Sequence, residues 1–229
     1  MTEVAVITGV SRGIGRACAL AIAERHMGLA LVGRPSESHS ETRRACAERS
    51  DAQVESYDCD LSKHDDIERT CAAIIDRHGA PSLVINNAGH LERGPLVHEI
   101  DIATWDHILD TNLRGPFLVS RALLPSMLAA KRGRFIHIAS ISGTIACPHM
   151  AHYGASKWGL IGFHKALSEE LRGTGVSSIA VLPGSVDTAM LEKTPFEPDM
   201  SADEVAKVVV YYGLDAPPVV HGAEVQVYG

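Results

Sequence analysis

The chain has 229 residues, of which 45% are hydrophobic and 21% charged, a mixture that excludes a disordered, collagen-like or coiled-coil protein and suffices for a sizeable core. Lys and Arg number 21 against 28 Asp and Glu, and the net charge of −7 with no segregated basic stripe excludes nucleic acid as a partner. Five scattered cysteines (Cys18, Cys46, Cys59, Cys71, Cys147) without a C-x-x-C spacing exclude a disulfide framework and point to a reducing, cytoplasmic compartment.

The first residues lead at once into an apolar run, with no basic segment or separate apolar stretch of a targeting signal. Residues 135–156, the longest segment free of Asp, Glu, Lys and Arg, are interrupted by His, Ser, Gly and Pro, so no membrane partner is expected. Apolar runs at 4–8, 29–32, 53–56, 83–86, 135–139, 177–182 and 225–228 predict seven strands. Most are too apolar for a sheet with one wet face, which calls for a parallel sheet covered by helices on both faces. Ser62 and Ser201, each three residues before a carboxylate (Asp65, Glu204), predict capping boxes, and Gly28, Gly79 and Gly173 predict helix ends. No repeat or linker divides residues 1–229, so one doubly wound α/β domain is expected.

The first strand runs into Thr8-Gly9-Val10-Ser11-Arg12-Gly13-Ile14-Gly15, followed by a helical stretch from Arg16 to Glu24. Glycines there permit a tight turn and close backbone approach, and the helix amino terminus offers free N–H groups to a pyrophosphate. Strand before and helix after favour a Rossmann-type dinucleotide site over a plain turn. A carboxylate ending the second strand would repel a ribose 2′-phosphate, but Gly33 stands there, followed by Arg34, with Arg12 in the glycine loop. Two guanidinium groups favour NADP(H) over NAD(H), the alternative being that both are solvated surface charges.

Tyr153-Gly-Ala-Ser-Lys157 opens a predicted helix and puts a phenol and an ammonium on one face. A positive charge beside a phenol lowers its ordinary pKa of about 10, which would suit Tyr153 to proton transfer near neutral pH. Ser140 ends a predicted strand thirteen residues earlier, where ligands gather in open α/β sheets, and Ser142 is its rival. The intervening segment places Ile141, His149 and Met150 on a substrate pocket. Cys147, His149 and His152 lack the spacing of a metal site.

The T-G-x-x-x-G-x-G loop, Asn86-Asn87-Ala88-Gly89 at the end of the fourth strand, and the Ser140, Tyr153, Lys157 set together resemble the short-chain dehydrogenase/reductase family over nearly the whole chain, and lean toward its 3-oxoacyl-acyl-carrier-protein reductases. The resemblance implies that Ser140, Tyr153, Lys157 and Asn112 are catalytic. Tyr153 would give a proton to an alkoxide that Ser140 hydrogen-bonds. Lys157 would also hold the nicotinamide ribose, and Asn112 would position a water; its alternative is a structural asparagine near Pro116. The resemblance also implies cofactor contacts from Gly9, Ser11, Arg12, Gly13, Ile14, Gly15, Arg34, Asp60, Leu61, Asn87, Ala88, Gly89, Tyr153, Lys157, Pro183, Gly184, Val186 and Thr188. Ser140, Ile141, His149, Met150 and Tyr153 would face a small carbonyl or alcohol substrate. A homodimer or homotetramer is implied by family alone. Acyl carriers are acidic, and Arg132 and Arg134 are the local basic candidates to meet one. The alternative function is a dinucleotide-sensing protein without turnover.

Overall fold

The computed structural model describes residues 3–229, the side chain of Lys193 excepted. Strands β1 (Val4–Thr8), β2 (Gly28–Gly33), β3 (Val54–Asp58), β4 (Leu83–Asn86), β5 (Gly133–Ile138), β6 (Val176–Pro183) and β9 (Glu224–Val227) form one sheet in the order β3-β2-β1-β4-β5-β6-β9, every pair parallel. A second sheet, which no apolar run predicts, pairs the two-residue strands β7 (Val186–Asp187) and β8 (Met200–Ser201). The helices are α1 (Gly13–Ala23), α2 (Glu37–Ala47), α3 (His64–His78), α4 (Ile102–Leu109), α5 (Gly115–Ala130), α6 (Ala151–Glu170) and α7 (Ala202–Val210).

Alternation along β1 explains the layers. Ala5 and Ile7 pack with the apolar sides of α1, α2 and α7, whereas Val4 and Val6 pack with α3, α5 and α6. All residues of β1, β2 and β4 are buried, as strands covered on both faces must be. The edge strand β3 is half-exposed and extends to Asp58, two residues beyond its predicted end, because its ladder with β2 runs on to Gly33.

Two predicted helix signals are corrected. Ser62 does not cap α3: its N–H and hydroxyl both go to Asp60 Oδ1, at 3.1 and 2.8 Å, and the helix starts after Lys63. Gly28 opens β2; the chain has already left α1 through Glu24 and a left-handed His26. The Ser201–Glu204 box forms as predicted, and Gly79 ends α3 with φ +76°. The histidines, scattered in sequence, partly converge in the interior. Asn86 Nδ2 donates to Ser120 Oγ and lies 3.3 Å from His137 Nδ1, and Ser178 joins His164 to His221. Burial pushes the His137 imidazole down to about 3, so it is neutral at physiological pH. Among the described residues no helix is long and apolar enough to cross a membrane.

Candidate active site

A cleft of about 800 Å³ lies at the carboxyl ends of the strands, where β1 and β4 adjoin although their connections run to opposite sides of the sheet. At its dinucleotide end, Gly9 has φ +73°, and a Cβ there would come 2.7 Å from Ala88 Cα. A Cβ on Gly15 would overlap Gly9 O and the Asn87 amide. Asn87 Nδ2 donates to Thr8 O (2.9 Å) and Gly9 O (3.0 Å), and Thr8 Oγ1 accepts from Asn87 N and Ala88 N, both at 3.0 Å. Thr8 and Asn87 thus tie the glycine loop to the end of β4. Arg12, the N-cap of α1, makes no side-chain cap, which leaves the first amides of that helix to an anionic ligand.

Gly33, Arg34, Pro35, Ser36 and Ser38 continue the wall toward the amino terminus of α2, with Asp60 and Leu61 opposite. His39 fills the space behind Gly33. Burial works to raise the Asp60 carboxyl, but the two hydrogen bonds from Ser62, helped by Lys63 and Arg34, hold it below its usual value.

The catalytic candidates meet near the middle of the cleft. Ser140 follows β5 and its Oγ accepts from Ser142 N (3.1 Å), which leaves the hydroxyl proton to point elsewhere. That hydroxyl lies near enough to the Tyr153 phenol to pull its pKa down. Lys157 Nζ donates to Ile138 O (2.9 Å) and stands 5.7 Å from the centroid of the Tyr153 ring. The expected lowering of the tyrosine is not found. Burial pushes Tyr153 up to about 12 against the pull of Ser140, and pushes Lys157 down to about 8. The reason is geometric: the ammonium faces the ring and a carbonyl, in a pocket that leaves both groups only 4 to 6% exposed.

Asn112 lies in a π-helical turn (Asp110–Arg114) that joins α4 to α5. It is fully buried and does not reach the cleft surface. Its Oδ1 accepts from His90 N (2.7 Å), and its Nδ2 donates to His90 O (2.8 Å) and Ser156 Oγ (3.0 Å). The side chain therefore braces the segment after Gly89 against α6.

Of the other predicted residues, Gly9, Ser11, Arg12, Gly13, Ile14, Arg34, Asp60, Leu61, Asn87, Ala88, Gly89, Ile141, Met150, Pro183, Gly184, Val186 and Thr188 all line the cleft. Gly15 sits just behind it, and His149 does not line it. His149 adopts φ +63° and its carbonyl accepts from Gly94 N, so it serves the loop instead of the pocket. The sequence reading missed His90, Leu91, His107, Thr111, Ile145 and the stretch Ala189, Met190, Leu191, Thr194 and Phe196. Only adjacency to Gly89 could have flagged His90 and Leu91, and the last stretch has no periodicity to read. His152 was missed as well: buried, it accepts the Tyr153 N–H through Nδ1 (2.9 Å) and so holds the first turn of α6.

Comparison with known proteins shows the family to which the chain is similar. The sequence profile of a family described as short chain dehydrogenase matches residues 3–198. A 3-oxoacyl-[acyl-carrier-protein] reductase of Synechocystis sp. is 34% identical over 86% of this chain and 79% of its own. An uncharacterized oxidoreductase of Staphylococcus epidermidis is 32% identical over 98% of this chain and 96% of its own. Among solved structures, a metagenomic short-chain oxidoreductase in complex with NADP superimposes with a TM-score of 0.87 at 35% identity, covering 98% of this chain and 96% of that one. Levodione reductase gives 0.93 at 27% identity, covering 99% and 96%.

Proposed function

Because the chain belongs to the short-chain dehydrogenase family, we propose that it is an NADP(H)-dependent oxidoreductase interconverting a carbonyl compound and a secondary alcohol. The observation that carries this reading is the Tyr153 phenol, beside Ser140 and backed by Lys157, on the same cleft as an uncapped glycine loop. The residues fit a dinucleotide: without a Cβ on Gly9 the glycine loop can lie against Ala88, the first amides of α1 carry no side-chain cap, and Arg12, Arg34, Ser36 and Ser38 surround the end where a 2′-phosphate would lie. The solved NADP complex of a relative supports the same choice.

When bound, the nicotinamide supplies or takes up the hydride. Tyr153, a protonated phenol through the neutral range, donates to the substrate oxygen, and the Ser140 hydroxyl hydrogen-bonds that oxygen as charge develops. Lys157, cationic below about pH 8, holds the nicotinamide ribose and keeps a positive charge behind the ring. Asn112 acts through its backbone: Pro116 has no N–H, so the Asn112 carbonyl has no α-helical donor four residues on and can hold a relay water. The five free thiols fit a reducing compartment. Exposed Phe117 on α5 and Trp158 on α6 support a homo-oligomer, which light scattering would measure.

The test is consumption of NADPH and NADH in parallel against a 3-oxoacyl thioester, a diketone, an aromatic aldehyde and a cyclic ketone. NADPH is consumed preferentially, and Tyr153→Phe lowers kcat by about 10²–10⁴ while NADPH still binds. Retained turnover in that variant overturns the role of Tyr153. Preference for NADH overturns that of Arg12 and Arg34, and tight NADPH binding without any turnover favours a dinucleotide sensor.

A further inference from the structure

Charge divides the cleft. Among its described lining residues the charged side chains are Arg12, Arg34 and Asp60, all toward the α2 end, and Lys157, which is bonded to Ile138 O behind Tyr153. Beyond Tyr153 the wall is mostly apolar, and the other polar side chains that line the cleft there are His90, His107, Thr111 and Thr194. Leu91 and Met150 form a buried cluster with the Tyr153 ring itself, and Cys147 and Met190 pack on it. Ile145 and Phe196 extend this wall outward and are about half exposed (51% and 47%). An anionic group placed there would lose hydration with no Lys or Arg among the described lining residues beyond Lys157 to replace it.

The rim adds a second argument. Segment 187–199 supplies one wall of the cleft and carries Asp187, Glu192, Glu197 and Asp199 against a single Lys193 in the sequence. The four carboxylates are exposed; Glu92, next to Leu91, is exposed as well, with Arg93 exposed beside it. A phosphorylated handle or an acidic carrier protein approaching this mouth meets like charge. The basic residues that the sequence offered for such a carrier are elsewhere. Arg134 stands near the start of β5 and bonds Tyr212 O, Ala216 O and Ser177 Oγ, and Arg132 pairs with Glu3. That edge of the sheet lies a strand's length, about 13 Å at ~3.3 Å per residue, from the end of β5 that borders the cleft.

We propose that the substrate is a small, uncharged, predominantly apolar ketone, taken up free and seated against Leu91, Met150 and Met190, rather than a thioester carried on an acidic protein or a nucleotide. The proposal rests on the reading of this site as a carbonyl reductase. In the step the carbonyl carbon gains a hydride from the reduced nicotinamide dinucleotide, its oxygen gains the Tyr153 proton, the C=O becomes CH–OH, and the dinucleotide is left oxidised. The flexible methionine side chains suit ketones of varied outline.

The decisive measurement is kcat/KM of the full chain with NADPH for three compounds: a neutral alkyl cyclic ketone, the N-acetylcysteamine thioester of a 3-oxoacyl group, and the coenzyme A thioester of the same group. The coenzyme A compound should be slower than its neutral thioester by about tenfold or more, narrowing at high salt, and the cyclic ketone should equal or exceed both. Glu192→Lys combined with Glu197→Lys should raise the coenzyme A value several-fold and leave the neutral ketone unchanged. Met190→Glu should lower the neutral ketone about tenfold with NADPH affinity intact, which shows that the protein is folded. Equal or better use of the coenzyme A thioester by the native chain overturns the proposal while leaving the carbonyl reductase reading in place. An unaltered ketone rate in Met190→Glu overturns it likewise. NADPH binding with none of the three consumed overturns the carbonyl reductase reading, and this proposal with it.

Discussion

The two halves of the cleft are built by different means. Toward α2 the backbone shapes it: left-handed Gly9 and Gly13, the uncapped start of α1 and the Thr8 and Asn87 clamps fix a surface of amides and small residues, with arginines at its rim. Beyond Tyr153 side chains shape it, from the loop after β5 and the stretch after β7, with Met150, Met190, Ile145 and Phe196 projecting from segments outside the main sheet. A surface made of backbone tolerates almost no substitution at its glycines and accepts one invariant ligand. A surface made of side chains can change its ligand without disturbing the sheet. Tyr153 stands at the junction, its ring in the apolar cluster and its hydroxyl near Ser140.

Substitutions can break this division at chosen points. The largest effect is expected from Ser140→Ala, which removes the hydroxyl proposed to hydrogen-bond the reacting oxygen and should lower kcat by about 10²–10³ with little change in NADPH affinity. Ser142→Ala should leave kcat near its native value, because Ser142 contributes its N–H and not its side chain to Ser140. Equal losses in the two variants would assign the hydroxyl to Ser142. Next is Gly9→Ala, which adds a Cβ against Ala88 in a left-handed backbone and should weaken NADPH binding about a hundredfold in a calorimetric titration.

Smaller still is Arg34→Glu, which should reduce the preference for NADPH over NADH by about 10–100-fold, the worth of a charge-assisted hydrogen bond, without altering kcat. The smallest concerns pH. With Lys157 at about 8, its charge is complete well below that pH and is lost as pH rises through it. The rate kcat/KM for reduction should therefore be flat between about pH 6 and 7.5 and fall with a slope approaching about tenfold per unit above 8. Tyr153, near 12, remains protonated across that range and adds no alkaline limb of its own within it. A profile flat to pH 10 would remove Lys157 from the mechanism.

Much of this was legible before any coordinates. The positions of seven strands, their parallel arrangement and the glycine loop followed from apolar runs and local spacing, since both faces of a parallel sheet must be covered, whereas the order of the strands in the sheet came only from the structure. Other elements resisted. The β7–β8 pair is two residues long, too short to carry a periodicity, and Ser62 was claimed by Asp60 before it could cap α3. His149 lies between two pocket residues in sequence but turns away through a positive φ. The apolar wall at 189–196 is assembled from a stretch whose residues have meaning only once β7 and β8 pair beside the cleft.

What the sequence by itself determined is therefore what depends on neighbours a few residues apart: which segments are strands, where the chain can turn tightly, and that Tyr153 and Lys157 share a helical face. The tertiary structure decided what depends on burial and on distant partners. It brought the Ser140 hydroxyl to the phenol and set Asn112 to brace the segment after Gly89. It raised Tyr153 and lowered Lys157 by withdrawing both from water, where spacing alone had suggested a lowered tyrosine. It also placed Arg132 and Arg134 at the edge of the sheet away from the cleft, and made the segment that carries the exposed carboxylates of 187–199 a wall of that cleft. Charge is written in the sequence, but the field that a ligand meets is fixed only by which end of the strands each charge occupies.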